Sequence, residues 1–258
     1  MNGIIDFDSL AKEVKGLSVP KPTSGTLSGH AAGEPFDKAV YAKLSKKYPG
    51  LIFRQYEYLN VLYSRHLDAV GVEAKSKLFN SPTVLFLLSR GKDATDKWSI
   101  SNPFEEKQND TADILAVKDN FFNLIDIKTR NMGKKAQPPN IISSYKLAQL
   151  CANMLDNEDF NSFTIDYFEV DWRLVKENLV CENAHHANLF QSNPSLLYIN
   201  WAAAMQIQFH VNECDQSFSG TGKEWAKQYL CHYVRQAKER AQRMIDQFVK
   251  PFLKYVED

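Results

Sequence analysis

Residues 109–131, NDTADILAVKDNFFNLIDIKTRN, hold two short apolar runs on either side of Asp119-Asn120. Runs of this length and composition, separated by a two-residue Asp-Asn step, predict a β-hairpin. The second run puts Asp126 and Lys128 where a buried strand would carry valine. Side chains two apart on a strand share a face, so Ile125, Ile127 and Thr129 line one face, and Asp126 lies beside Lys128 on the other. Asp113 heads the first run, where the turn can bring it next to Asp126. A fold built around this hairpin gathers two carboxylates and an ammonium at one end of a sheet.

Neighbouring carboxylates repel, and one of them normally takes up a proton. A divalent cation removes the conflict. Hard carboxylate oxygens suit magnesium, which keeps several waters and completes its shell with substrate phosphates. Such a site fits phosphodiester cleavage, in which the metal stabilises phosphoryl charge and activates a water. Lys128 would orient that water or support the phosphorus electrostatically. The same three residues also read as an ordinary ion pair on a solvated face, and their spacing alone does not separate the two readings.

Net charge argues against indiscriminate nucleic-acid binding, because 31 acids balance 31 bases. A DNA-binding reading must rest on where the charges sit. From Ile127 to Leu150 the chain carries Lys128, Arg130, Lys134, Lys135 and Lys146 and no acid. No apolar stretch approaches the length of a membrane helix, and the N-terminus lacks the pattern of a signal peptide. Four scattered cysteines without a CxxC pair read as reduced thiols of a cytoplasmic protein.

No repeat or low-complexity tract divides the chain, so residues 1–258 read as one domain with an N-terminal loop region over about 1–33. A helix is expected from Glu34 or Phe36 to about Lys47, and another from Ile141 to Leu155 after Pro138-Pro139. SPTVLFLLSRG suits either strand or helix. FTIDYFEVDWRLV and AAAMQIQFHV read as strands. Thr221 and Glu224 form a capping box for a long last helix closed by Pro251. Its stripe of Trp225, Tyr229, Tyr233, Ala237, Ala241, Met244 and Phe248 reads as core. His185-His186 reads as surface loop, and Trp98, Trp172, Trp201 and Trp225 as core or interface aromatics. The class is α/β.

Asp113 followed by Asp126-Ile127-Lys128 resembles the catalytic motif of the PD-(D/E)XK nuclease superfamily. Blocks such as SGTLSGHAAGEPF, KLFNSPT, EEKQNDTADIL and LYINWAAAMQIQFH are similar to the HincII family of type II restriction endonucleases, from about Lys21 to the end. The resemblance implies a restriction-endonuclease-like core, a central mixed β-sheet flanked by helices. It also implies a homodimer that cuts both strands of duplex DNA at a palindrome, GTYRAC, centrally and with blunt ends. Magnesium would be the cofactor and manganese its substitute, held by Asp113 and Asp126, with Lys128 as the catalytic lysine. Two positions depart from the pattern. Ala112 replaces the motif's proline, and Pro138 stands where alanine is expected. Other readings are a related nuclease with a different site and a DNA-binding protein that does not cut.

The DNA-facing candidates fall in two segments, Gln137 with Asn140, and Tyr198 with Asn200. Side-chain amides can pair with adenine or probe the minor groove. Asn140 could instead cap a helix, and Tyr198 and Asn200 could serve the core or the surface. Lys92, Gln108, Arg130, Lys134 and Lys135 are candidates for phosphate contacts, or solvated surface residues. Glu34 is an auxiliary acid near the metal site or a residue favourable to the helix dipole.

Overall fold

The computed structural model describes residues 3–22, 30–64, 66–88 and 111–256. The N-terminal region expected to be loop carries helix α1 (Phe7–Val14) and strand β1 (Ser18–Pro20). Asp6 caps α1 by accepting the Ser9 N–H at 3.0 Å, and Phe7, Leu10 and Val14 bury one face. Helix α2 (His30–Lys47) begins a turn before Glu34. Strand β2 (Ile52–Arg54) and three helices follow, α3 (Gln55–Tyr63), α4 (Ala69–Phe79) and α5 (Pro82–Leu88). The ambiguous apolar run is therefore helical over PTVLFLL.

The expected hairpin is β3 (Ile114–Lys118) and β4 (Phe121–Asn131), turned by Asp119 with φ 54°. Aspartate tolerates this left-handed conformation better than most residues. Beyond β4 the helix expected from Ile141 starts later. Strand β5 (Asn140–Ser143) comes first, then helix α6 (Ser144–Asp156), capped by Ser143. Two prolines and two isoleucines favour extended chain up to that cap.

Strands β6 (Phe163–Val175) and β7 (Asn178–Asn188) are long. They are followed by β8 (Ile199–Asn200) and β9 (Gln206–Gln208). Only three residues of AAAMQIQFHV are strand, because Ala204 (φ 51°) and Met205 (φ 57°) turn the chain between β8 and β9.

Helix α7 (Gly222–Met244) has the Thr221–Glu224 capping box. It runs through a π-turn over Ile245–Val249 into α8 (Lys250–Leu253), so Pro251 opens α8 and does not end α7. The core reading of the last helix holds only at its start. Trp225, Ala226, Tyr229 and His232 are buried, whereas Met244 and Phe248 are exposed. His185 and His186 are not in a loop. They lie on β7 and bond Asp171 and Asp166 from opposite faces of the sheet, and Phe7 stacks on His186.

Six strands form a mixed sheet in the order β1-β7-β6-β4-β3-β2. Only β4 and β6 run parallel, joined by a crossover through α6. Period-two alternation sends Ile114, Ala116, Ile125, Ile127, Phe168 and Val170 to a core shared with α1 and α2. Leu115, Val117, Phe122, Leu124, Ile165 and Tyr167 face a larger core under α3–α7. Strands β5, β9 and β8 make a second, antiparallel sheet, anchored in that larger core by Ile142, Ile199 and Ile207. Trp172 and Trp225 are core; Trp201 is partly buried, and Trp98 lies outside the described residues. No described helix is long and apolar enough to cross a membrane.

Candidate active site and DNA-reading edge

The register pairs Ile114 with Ile125, so Asp113 sits one step further out, opposite Asp126. Its backbone N–H donates to Ile125 O at 3.0 Å. Asp113, Asp126 and Lys128 continue the sheet face that Leu115, Val117, Phe122 and Leu124 present to the larger core. The apolar face turns polar at its end, and the three charges converge there. Lys128 Nζ lies 2.7 Å from Asp126 Oδ2, with side chains only 19% and 15% exposed. A solvated surface pair would not be covered to this degree.

Burial is the largest influence on Asp113, followed by the charge of Asp126 and a hydrogen bond with it. The Ile127 N–H, donating to Asp113 Oδ2 at 2.7 Å, and Lys128 act the other way. The balance pushes the Asp113 carboxyl up to about 7. Burial pulls Lys128 down, but Asp126 beside it, with Asp113 and Glu169 further off, leaves it above the ordinary lysine value. Lys128 is an ammonium at neutral pH. The proton on Asp113 beside a second carboxylate is what a divalent cation would displace, and the donors are hard oxygens that suit magnesium. Among the described residues no group of three His, Cys, Asp or Glu side chains gathers, so a cation here would draw on two carboxylates plus water, backbone or phosphate oxygens.

The second sheet unites the two segments expected to face DNA. Asn140 lies on β5 and Asn200 on β8, with β9 between them. Tyr198 is 63% exposed just before β8, while Leu197 and Ile199 on either side are buried. Gln137, Lys134 and Lys135 are exposed in the connection between β4 and β5. Arg130 is held by protein partners, with Nη1 3.3 Å from Asn212 Oδ1 and 3.6 Å from Glu213 Oε1. Lys146 donates to Thr111 Oγ1 at 2.6 Å. Glu34 is exposed in α2 and pairs with Lys38 at 2.7 Å. Lys92 and Gln108 lie outside the described residues.

A family profile described as restriction endonuclease HincII matches residues 10–256. The chain belongs to the HincII family of restriction endonucleases. Two Haemophilus influenzae members are similar over 93% of this chain and 93% of their own: the type II restriction enzyme HindII of strain Rd, 64% identical, and the type II restriction enzyme HincII, 63% identical. Among solved structures, the NlaIV restriction endonuclease aligns over 86% of this chain and 89% of its own at 13% identity and a TM-score of 0.28, too slight a likeness to add to what the sheet itself says of the fold.

Several residues near this HincII-family site carry no sequence signal. Arg54 Nη1 bonds Asp37 Oδ1 at 2.7 Å and the Asp113 carbonyl at 3.2 Å, and its guanidinium lies over the Tyr41 ring. Burial raises the Asp37 carboxyl above its ordinary value, against the pull of Arg54 and with a further push from Asp113. Asp37, one turn beyond Glu34 on α2, thus feels the charge of Asp113. Glu169 is fully buried opposite Lys128, accepting from His210 Nδ1 at 3.1 Å and the Val211 N–H at 2.8 Å. Gln208 on β9 bonds both Asn140 and Asn200. These contacts join residues 8 to 68 apart, and no local pattern announces them.

Proposed function

We propose that the chain is a magnesium-dependent type II endonuclease that hydrolyses both strands of a short palindromic duplex, GTYRAC, at its centre to leave blunt ends. The convergence of Asp113, Asp126 and Lys128 at the end of β3 and β4 is the observation that carries this reading. Asp113 and Asp126 would hold the cation, which supplies Lewis-acid stabilisation of the phosphoryl oxygens and a more acidic water. Lys128, kept charged by Asp126, positions the attacking water and offsets negative charge on phosphorus. Water adds to phosphorus as the 3′ oxygen leaves and takes a proton, giving a 3′ hydroxyl and a 5′ phosphate. Manganese is expected to replace magnesium.

Asn140, Tyr198, Asn200 and Gln137 lie on one small sheet and its approach, a surface suited to base edges. Exposed Lys134 and Lys135 suit phosphates. A pyrimidine–purine step at the centre of the site unstacks easily, which lets it be read through deformability as well as contact. One active centre per chain and two equivalent scissile bonds per palindrome call for a two-fold homodimer. Pro138 beside Gln137 favours a second reading, the same chemistry at a related site with altered central bases.

Digestion of a sequenced plasmid in magnesium and in EDTA, with the fragment ends sequenced, tests the function. Blunt cuts at GTYRAC only in magnesium are expected. Discrete cuts at another sequence would leave the chemistry and overturn the specificity. Sedimentation at equilibrium should give twice the chain mass.

A further inference from the structure

Across β8, β9 and β5 the side chains of Asn200, Gln208 and Asn140 form a continuous amide chain. Asn200 Nδ2 donates to Gln208 Oε1 at 2.9 Å, and Gln208 Nε2 donates to Asn140 Oδ1 at 2.7 Å. An amide can usually be turned over, which exchanges its donor and acceptor ends. Here one end is pinned. Asn200 Oδ1 accepts the backbone N–H groups of Ala202 and Ala203, each at 3.1 Å. Backbone N–H groups only donate, so Asn200 must show them oxygen and turn its nitrogen to Gln208. Gln208 must then answer with oxygen and send its nitrogen to Asn140. Asn140 must accept with Oδ1, and its Nδ2 is left pointing away, with no partner among the described residues.

We propose that Gln208 is a specificity-determining residue that need not touch a base. It carries the polarity fixed at the turn after β8 across the sheet to Asn140, so that Asn140 meets DNA as a hydrogen-bond donor. This rests on the reading of Asn140 as base-facing. The base edge opposite Asn140 must then present an acceptor, such as guanine O6 or N7 or thymine O4 in the major groove. An edge that presents only a donor would leave two unpaired groups, costing roughly ten- to a hundredfold in discrimination.

The relay predicts that reversing its polarity reverses the preference. Glu at 208 only accepts, so Asn140 must turn its nitrogen inward and show Oδ1 to the DNA. Asp at 200 still accepts from Ala202 and Ala203 but offers Gln208 an oxygen. Gln208 then turns over, and Asn140 turns with it. Neither change alters Asn140 itself.

Full-length wild type, Asn140→Ala, Gln208→Glu and Asn200→Asp should each select from a randomised duplex library in calcium, with folding checked by circular dichroism. The library makes the outcome independent of which site is recognised. Asn140→Ala is expected to lose preference at one base pair of each half-site. At that same pair, Gln208→Glu and Asn200→Asp should both shift preference by about tenfold or more toward bases that present a donor. If Asn140→Ala has this effect and a folded Gln208→Glu or Asn200→Asp keeps the wild-type preference there, the relay is wrong while Asn140 remains a base-facing residue. If Asn140→Ala leaves every position unchanged, Asn140 does not read DNA and the relay falls with it. Should Gln208→Glu fail to fold, Asn200→Asp decides between these outcomes alone.

Discussion

The backbone N–H of Ile127 donates to Asp113 Oδ2 at 2.7 Å, tying the head of β3 to the strand that carries Asp126 and Lys128. The bond fixes the carboxyl in place, while burial and Asp126 work against its charge. Asparagine at 113 keeps an acceptor for Ile127 and drops the charge. Asp113→Asn is therefore expected to melt at least about 2 °C higher than wild type at pH 8 without metal, as roughly 1 kcal/mol of relieved repulsion would give in a chain of this size. Its cleavage rate should fall by more than about a hundredfold. A variant that melts lower would mean that the ionised carboxylate supports the fold.

The same group sets a pH dependence. Asp113 titrates at about 7 in the folded chain and near 4 when unfolded. Between those values the folded state holds more protons, so ∂ΔG/∂pH is negative and stability falls as pH rises. The contribution is present below about pH 4 and lost as pH passes 7. Urea denaturation of the metal-free protein should show this decline, which millimolar magnesium should reduce at pH 8 more than at pH 5. A metal effect equal at both pH values would remove the two carboxylates as the binding site.

Legibility in the sequence followed the range of the interactions. The β3–β4 hairpin, its Asp119 turn and the convergence of Asp113, Asp126 and Lys128 depend on period two and one short loop, and all appear as expected. The capping box at Thr221 is equally local. Helix α1 falls where loop is expected although Asp6, Phe7, Leu10 and Val14 spell out a cap and a stripe, because eight residues form a helix only when packing against the rest of the fold holds them. The last helix departs from expectation for a different reason. Its stripe is real, but nothing in a periodicity says whether another element lies against it, and beyond Tyr233 none of the described residues buries it. Glu169, Arg54 and Gln208 act through partners distant in sequence and leave no local trace.

Glu169 offers the sharpest stability test. It is the acceptor for both His210 and the Val211 N–H, and all of these lie in the interior. Glu169→Ala should cost about 3–5 kcal/mol, because it orphans two buried hydrogen-bond partners at roughly 1–3 kcal/mol each and leaves a cavity. Glu169→Gln, which keeps one acceptor oxygen, should cost clearly less. Equal losses in urea denaturation would show that side-chain volume and one acceptor oxygen do not suffice, and that the second carboxylate oxygen fixes this residue.

Lys135 is exposed in the connection between β4 and β5. Lys135→Ala should weaken binding on specific and random duplexes alike. The slope of log K against log salt should fall by about 0.9 for one lost phosphate contact. An unchanged slope would place Lys135 away from the DNA backbone.

Asp126→Ala, assayed for plasmid cleavage in magnesium and for duplex binding in calcium, separates a metal-dependent centre for phosphodiester cleavage at Asp113, Asp126 and Lys128 from charges that only hold the sheet together. Wild type should give discrete fragments in magnesium and none in EDTA. The variant should retard the same duplex but cut nothing. Cleavage by Asp126→Ala at the wild-type rate would contradict the assignment of that centre.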